Sequence, residues 1–356
     1  MTDNDLEVDE LGPIDLGPDE VSNLLERTLF EAKRVLVGQD RMLERMMVCL
    51  LARGHCLLEG VPGLAKTLAV ETLARAVRGS FVRIQFTPDL VPSDIVGSTI
   101  FKSQRETFDV VLGPVFANFV LADEINRAPA KVQSALLEVM SQQQATINGV
   151  TYPAPEPFFV LATQNPIESE GVYPLPEAQR DRFLLKILVP YPTPTEELEI
   201  ISRMGVDPPR STAVISTGEL LALQKAVDTV FVHQHIAEYV VRLVYASRDP
   251  AAFEVDDLEG LIAFGASPRA SLGLVAGARA LALLRGRDYV LPQDVTDLAP
   301  DVLRHRLVLT FDAVADGITV ETVLQRLIAA IAPPDITPAQ SRFPAAPVAS
   351  PASEGG

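Results

Sequence analysis

The sequence contains no tryptophan, only two cysteines, and fewer basic than acidic side chains. Cys49 and Cys56 cannot form a disulfide framework, so we expect a reducing compartment and a cytoplasmic location. The net charge of −17 disfavours binding to nucleic acid or to an anionic membrane through the overall electrostatic field. No run of about 18 residues is both apolar and free of charges, and the first residues are acidic where a secretory signal would be basic. Membrane insertion and secretion are therefore not expected.

Apolar residues make up 47% of the 356 residues, which excludes wholesale disorder, and this length predicts two domains. Residues 1–20 carry eight acidic side chains and no Lys or Arg, and residues 333–356 hold six prolines. Both compositions predict disordered tails. Three prolines between 189 and 195 predict a boundary between one domain at 21–190 and a second at 191–332.

Five short apolar segments bounded by Gly and Pro alternate with helical patterns in the first domain. They are HCLLEG (55–60), FVRIQF (81–86), ANFVLAD (117–123), FFVLATQN (158–165) and FLLKILV (183–189). Near-continuous apolar strands of this kind predict a parallel sheet with both faces covered. Beyond about residue 195 helical periodicity dominates. The predicted fold is an α/β core with a five-stranded parallel sheet, followed by an all-helical domain.

A glycine-containing loop between a strand and a helical pattern has the spacing of a phosphate-binding loop. GVPGLAKT (60–67) follows the form G-x-x-x-x-G-K-(S/T), except that Ala65 replaces the last glycine. Such a loop directs backbone N–H groups and a helix N-terminus towards phosphate. Lys66 would contact the β- and γ-phosphates, and Thr67 would bind Mg²⁺. The alternative is a glycine-rich turn with a Lys-Thr pair by chance. The candidate nucleotide-binding residues are Gly60, Val61, Pro62, Gly63, Leu64, Ala65, Lys66 and Thr67.

An acidic pair ends the third apolar segment. ANFVLADE (117–124) finishes with Asp123 and Glu124. Beside a phosphate loop, an Asp at this place holds the Mg²⁺ shell, and the adjacent Glu orients and deprotonates the attacking water. The alternative is that both residues simply end a strand at the surface.

The phosphate loop, the acidic pair and a polar residue on the next strand resemble the AAA+ ATPases. Four stretches resemble the MoxR family of AAA+ ATPases more closely: GVPGLAKT, LADEINRAPAKVQSALLEVM, FVLATQNPIESEGVYPLPEAQRDRF and GASPRA. The resemblance implies a P-loop AAA+ core with a helical lid domain that binds ATP and Mg²⁺ and hydrolyses ATP within a homo-oligomeric ring, expected to be a hexamer. Ala65 fits this family.

The resemblance assigns roles to polar residues in the third stretch. Asn165 resembles the first sensor, which places water against the γ-phosphate, and the alternative is an Asn-Pro turn. Arg182 resembles the arginine finger that reaches the ATP of a neighbouring subunit, and Arg180 is a second candidate. The alternative for either arginine is a solvated head or an ion pair with Asp181.

Two further sites follow from the resemblance. Arg269 in GASPRA resembles the second sensor. Ser267 is a suitable helix cap and Pro268 suits the first helical position, so Arg269 would project from the start of a helix. A cation is unfavourable at that end of the helix dipole, and an anionic partner such as the γ-phosphate would explain its presence. Val37 and Gly38 resemble the stretch that packs on adenine, although ordinary packing would explain them equally well.

Two insertions bear on what the protein acts upon. Residues 97–116 contain β-like pieces that the resemblance implies form loops or a hairpin, and Asn148-Gly149 within 145–152 predicts a β-hairpin. From Val132 to Gln179 there is no Lys or Arg to grip phosphates. A protein client is therefore favoured over nucleic acid.

The resemblance implies a chaperone-like function in maturing or activating other proteins, with a partner that carries a von Willebrand factor A domain. Two alternatives remain. One is a nucleotide-regulated scaffold with little turnover, against which the full set of expected catalytic residues argues. The other is a DNA-remodelling ATPase, against which the net charge and the hairpin without basic residues argue.

Overall fold

The computed structural model describes residues 14–61, 63–102, 107–166, 172–205 and 207–336. The chain forms two compact units that divide between Asp228 and Thr229. Pro62 and most of both predicted tails lie outside the described residues. Among the described residues, no helix is both long enough and apolar enough to cross a membrane.

The first unit is built from helices and strands in alternation. Its helices are α1 (Pro18–Val35), α2 (Asp40–Leu51), α3 (Lys66–Ala76), α4 (Pro92–Val96), α5 (Ala130–Gln142), α6 (Glu177–Arg180), α7 (Pro194–Met204) and α8 (Thr217–Thr229). Its strands are β1 (Cys56–Glu59), β2 (Phe81–Gln85), β3 (Gly97–Lys102), β4 (Thr107–Leu112), β5 (Phe119–Asp123), β6 (Gln144–Ile147), β7 (Val150–Pro153), β8 (Phe159–Gln164) and β9 (Leu185–Leu188). A 3₁₀ helix covers Ile125–Arg127.

Five of these strands form the predicted parallel sheet, in the order β2-β5-β8-β1-β9. The three central strands, β5, β8 and β1, are almost entirely buried on both faces, whereas the edge strands β2 and β9 are partly exposed. One core cluster packs β5 and β8 against α5 through side chains such as Val120, Val160 and Leu136. The carboxyl ends of parallel strands meet at one edge of a sheet, so the residues that follow β5, β8 and β1 are neighbours there.

Both insertions form antiparallel hairpins. β3 pairs with β4, and β6 pairs with β7. Asn148 and Gly149 both have positive φ angles, 50° and 82°, as the two-residue turn between β6 and β7 requires. The hairpin predicted at this turn is therefore present in the structure.

The second unit is mainly helical and has its own small core. Its helices are α9 (Gln234–Ala246), α10 (Pro268–Leu284), α11 (Pro292–Leu303), α12 (Phe311–Ala315) and α13 (Val320–Ala330), with 3₁₀ helices at Ala251–Phe253 and Asp256–Leu258. A short antiparallel pair, β10 (Ile262–Phe264) with β11 (Val308–Leu309), interrupts the all-helical pattern that the sequence predicts.

Two boundaries differ from the sequence-based expectation. Helix α1 begins at Pro18, inside the tail predicted for residues 1–20, because proline suits the first helical position and acids such as Asp19 and Glu20 stabilise a helix N-terminus. The compact units divide at Asp228 instead of residue 190, so α7 and α8 pack with the sheet-containing unit. One link there is the side-chain amide of Gln224, which donates to the carbonyl of Leu50 at 2.7 Å.

Candidate active site

The residues predicted to carry the chemistry meet at the carboxyl edge of the central sheet. Asp123 ends β5, Asn165 follows β8, and Lys66 lies beyond the loop that follows β1. Because β8 lies between β5 and β1, these three positions are on adjacent strands. Asn165 is buried, with 6% of its surface exposed. The structure therefore brings this part of the predicted site together.

The backbone of the loop explains its small residues. A Cβ added at Gly60 would lie 3.0 Å from both Cβ and the carbonyl oxygen of Val189, so a larger residue there would require Val189 to shift by a few tenths of an ångström. Gly63 has a φ of +86° and faces open space. Ala65 adopts the left-handed conformation, φ 55° and ψ 20°, immediately before α3. Its methyl side chain cannot cap the helix by accepting a hydrogen bond from the N–H groups in the first turn of α3. An anion binds favourably to such N–H groups.

Lys66, the first residue of α3, folds back onto the start of this loop. Its Nζ donates to the carbonyl oxygen of Gly60 at 2.6 Å. Burial lowers the pKa of Lys66, and the carboxylates of Asp123 and Glu124 act in the opposite direction. The lysine thus lies within electrostatic reach of both acids. Thr67 follows in the first turn of α3 and is partly exposed.

The acidic pair is joined by one threonine. Thr163 on β8 donates from its hydroxyl to Oδ1 of Asp123 at 2.6 Å and accepts from the backbone N–H of Glu124 at 2.8 Å. Glu124 has a left-handed backbone, φ 55° and ψ 50°. This turn of the chain directs the two adjacent carboxylates to different places, so they can hold separate roles.

Three polar side chains that the sequence analysis overlooked complete the cluster. Arg83 donates to Oδ2 of Asp123, and Oε2 of Glu124 accepts from Gln85 at 2.7 Å and from Arg127 at 3.0 Å. A signal for two of them was present. Strand β2 reads FVRIQ, and residues two apart share a face, so Arg83 and Gln85 form a polar face at the end of an otherwise apolar strand.

An apolar cavity of about 100 Å³ lies beside the loop. Val37 lines it together with Gly63, Ala65, Pro192 and Met204. The structure thus places the predicted adenine-packing stretch next to the phosphate loop. Gly38, the neighbour of Val37, has a φ of +71°, and a Cβ added there would lie 2.7 Å from the carboxyl carbon of Glu196.

The two candidate finger arginines lie away from this cluster. Arg182 precedes β9, at the amino edge of the sheet, whereas the phosphate loop follows β1 at the carboxyl edge. Nη1 of Arg182 donates to the carbonyl oxygen of Leu137 at 2.6 Å. Arg180 ends α6, and its Nε is buried without a hydrogen-bond partner.

Arg269 belongs to the second unit. As predicted, Ser267 caps α10 by accepting the backbone N–H of Arg269 at 3.2 Å, and Pro268 takes the first helical position. Arg269 is exposed in the first turn of the helix.

The donor set fits nucleotide and a hard divalent cation. Thr67 and Asp123 offer hydroxyl and carboxylate oxygens, the ligands that Mg²⁺ prefers. Gly63 opens the loop to solvent and the first turn of α3 lacks a side-chain cap, so the loop suits phosphate oxygens.

Comparison with known proteins agrees with this geometry. Residues 55–185 match the family described as ATPase family associated with various cellular activities (AAA), and residues 258–327 match the AAA lid domain. A relative named chaperone MoxR1 from Mycobacterium tuberculosis is 64% identical over 88% of this chain and 83% of its own length. Protein MoxR from Paracoccus denitrificans is 33% identical over 78% of this chain and 86% of its own length.

A solved structure is similar over almost its whole length. The crystal structure of a protein from Cytophaga hutchinsonii aligns with a TM-score of 0.84 and 43% identity, covering 88% of this chain and 96% of the other. The fold, the motifs and the relatives therefore agree: this chain belongs to the MoxR family of AAA+ ATPases and is an ATP hydrolase.

Proposed function

We propose that the protein hydrolyses Mg²⁺-bound ATP at the carboxyl edge of its sheet and uses the energy, as a homo-oligomeric ring, to remodel or activate a protein partner. The observation that carries the proposal is the cluster of Lys66, Asp123 and Glu124 beside an uncapped helix start. Phosphoryl transfer to water requires positioned charges and an activated water, and this cluster offers both.

Each residue of the cluster has a distinct role in this proposal. Lys66 neutralises charge on the terminal phosphates, and Thr67 and Asp123 hold the metal. Bound Mg²⁺ supplies positive charge against the phosphate oxygens. Glu124 accepts the proton of the attacking water, and Asn165 fixes the position of that water. Val37 and Gly38 border the adenine cavity.

The position of Arg182 supports action between subunits. Arg182 lies at the amino edge of the sheet, opposite the phosphate loop of its own chain. This position supports the proposal that Arg182 acts at the ATP of another copy, which would make the active site complete only in an oligomer. We propose a ring, with six subunits as the family resemblance implies, in which Arg182 is the finger and Arg269 of the second unit senses the γ-phosphate.

A protein client is proposed from two observations. Hairpin β3–β4 exposes apolar side chains, among them Phe101 and Phe108, which exposes 71% of its surface. Exposed apolar patches of this kind mark protein interaction sites. The relative from M. tuberculosis is named a chaperone. We therefore propose a chaperone role, and a von Willebrand factor A domain protein is the partner to test first.

Two substitutions test the proposed chemistry. Lys66→Ala is expected to abolish ATP binding in calorimetry, because the phosphates lose their half-buried cation. Glu124→Gln is expected to bind ATP normally but to release phosphate about 10²–10⁴-fold more slowly, because an amide cannot accept the proton.

Normal turnover by Glu124→Gln would exclude Glu124 as the base. An absence of steady-state phosphate release from assembled wild-type protein would favour the scaffold alternative. DNA binding that weakens steeply with salt would instead favour DNA remodelling.

A further inference from the structure

The side chain of Arg83 forms an ion pair with Asp123, the carboxylate that binds Mg²⁺ in the proposed function. Arg83 donates from Nε at 3.0 Å and from Nη2 at 2.6 Å, and both bonds go to Oδ2 of Asp123. The other oxygen, Oδ1, accepts from Thr163 at 2.6 Å. Both oxygens of Asp123 are thus engaged within the protein.

The two partners of this ion pair differ in burial. The side chain of Asp123 is 14% exposed, whereas that of Arg83 is 50% exposed. A buried carboxylate is costly unless a cation or a hydrogen bond compensates it. A half-exposed arginine on a long flexible stem reaches water with little loss of packing. Of the two side chains, Arg83 is therefore the less constrained by its surroundings.

We propose that Arg83 is a positioning residue that holds Asp123 ready in the nucleotide-free protein and leaves Oδ2 when Asp123 joins the Mg²⁺ shell. The inference rests on the proposed function, in which Asp123 holds Mg²⁺. Two cations at one oxygen of a partly buried carboxylate repel each other, so the arginine and the metal compete. By linkage, Arg83 stabilises the empty site and weakens the binding of metal with nucleotide.

The same arginine is linked to the proposed base. Nη2 of Arg83 also donates to Oε1 of Gln85 at 2.9 Å, and Nε2 of Gln85 donates to Oε2 of Glu124 at 2.7 Å. One amide therefore connects Arg83 to Glu124. When Arg83 leaves Asp123, the amide of Gln85 loses one donor, while Arg127 still donates to Oε2 of Glu124 at 3.0 Å.

The test measures binding of ADP, which is not hydrolysed, to the full chain by calorimetry, first in EDTA and then with Mg²⁺. For Arg83→Gln we expect ADP affinity in EDTA to stay unchanged. We expect the enhancement of affinity by Mg²⁺ to rise about 3- to 10-fold, the size of one partly exposed charged pair. Mn²⁺ binding in the presence of ADP, followed by electron paramagnetic resonance, should tighten by the same factor.

Two further variants make the test specific. Arg83→Lys keeps the charge but loses the two-pronged geometry, so its Mg²⁺ enhancement should lie between those of Arg83→Gln and the wild type. Arg53→Gln is the matched control. Arg53 precedes β1 at the amino edge, and its side chain, 41% exposed, forms a surface ion pair with Asp228 at 2.9 Å. This control should bind ADP as the wild type does, with and without Mg²⁺.

The outcomes separate this inference from the proposed function. An unchanged Mg²⁺ enhancement in both Arg83 variants would overturn the role of Arg83, and so would a loss of ADP affinity in EDTA. A wild-type protein that binds ADP without any Mg²⁺ effect, or an Asp123→Asn variant that keeps the effect, would instead overturn the metal-binding assignment of Asp123.

Discussion

Thr163 shows how one hydroxyl holds two catalytic candidates in place. The residue is 1% exposed, and its hydroxyl bonds to the carboxylate of Asp123 and to the N–H of Glu124. Valine has nearly the same shape but no hydroxyl. Replacing Thr163 by valine therefore removes the acceptor of the Glu124 N–H and the donor to Oδ1 of Asp123, while Oδ2 of Asp123 keeps its bonds from Arg83.

We expect Thr163→Val to lower the free energy of unfolding by about 1–3 kcal/mol, the cost of polar groups left unsatisfied. Chemical denaturation measures this change, and phosphate release should slow in parallel. Thr28→Val is the control, because Thr28 is equally buried but bonds only to the carbonyl of Leu24 within its own helix. Equal losses in both variants would contradict the special role of Thr163.

Ala65 illustrates what a departure from a motif means structurally. Its left-handed backbone is the conformation that glycine adopts freely and that costs other residues about 1–2 kcal/mol. The loop keeps its shape although Ala65 carries a Cβ. The conformation is therefore imposed by the surrounding strand and helix and not by the residue itself.

His55 joins three elements of the first unit. It precedes β1, its Nδ1 accepts from the N–H of Val160 on β8 at 3.1 Å, and its Nε2 lies 3.2 Å from the carbonyl oxygen of Met140 in the last turn of α5. Because Nδ1 accepts, the proton of the neutral ring is on Nε2 and is donated to Met140. Full burial lowers the pKa of His55 from 6.5 to about 4.

This shift predicts acid sensitivity. Above pH 6.5 the ring is neutral in both states, and its contribution to stability is complete. Between pH 6.5 and 4 the unfolded chain binds the proton and the folded chain does not. The free energy of unfolding therefore decreases as the pH is lowered, by about 3 kcal/mol over this range. Denaturation curves across this range measure the loss.

His55→Gln provides the comparison, because its amide can donate and accept but does not titrate. The carboxylates titrate alike in both proteins, so the difference between the two pH profiles reports His55. We expect a flatter profile for His55→Gln between pH 6.5 and 4. Parallel profiles would show that His55 is protonated equally in the folded and unfolded chains.

The division of labour between subunits is testable by mixing inactive variants. Lys66→Ala lacks the nucleotide cation, and Arg182→Ala lacks the proposed finger. In an equal mixture that exchanges subunits, about a quarter of head-to-tail interfaces combine an intact Lys66 with an intact Arg182. We expect phosphate release to recover to about that fraction of the wild-type rate.

The control mixes Lys66→Ala with Glu124→Gln. Both substitutions damage the site within their own chain, so no interface is complete and no activity should return. Recovery only in the first mixture would support a finger contributed by the neighbour. No recovery there, with subunit exchange verified by labelled protein, would contradict that role.

Features that depend on residues close together in sequence were predicted correctly, whereas contacts between distant residues were not. Five strands, the phosphate loop and the Asn148-Gly149 turn were predictable because apolar runs and glycine spacing act over a few residues. The proposed role of Arg182 depends on contact between two copies of the chain, which the structure of one chain does not contain. The partnership of Arg83 with Asp123 was not predictable, since the residues are 40 apart in sequence and meet only because β2 pairs with β5.

Local chemistry in the chain therefore specified the family, the motifs and the order of strands and helices, because each depends on side chains close together in sequence. Folding added the distant neighbours: Thr163 between the two acids, Arg83 on Asp123 and Gln85 on Glu124. These contacts arise from the sheet order β2-β5-β8-β1-β9, which places distant segments side by side. The charges around the candidate site are set by that order, since burial and pairing exist only once the strands have assembled.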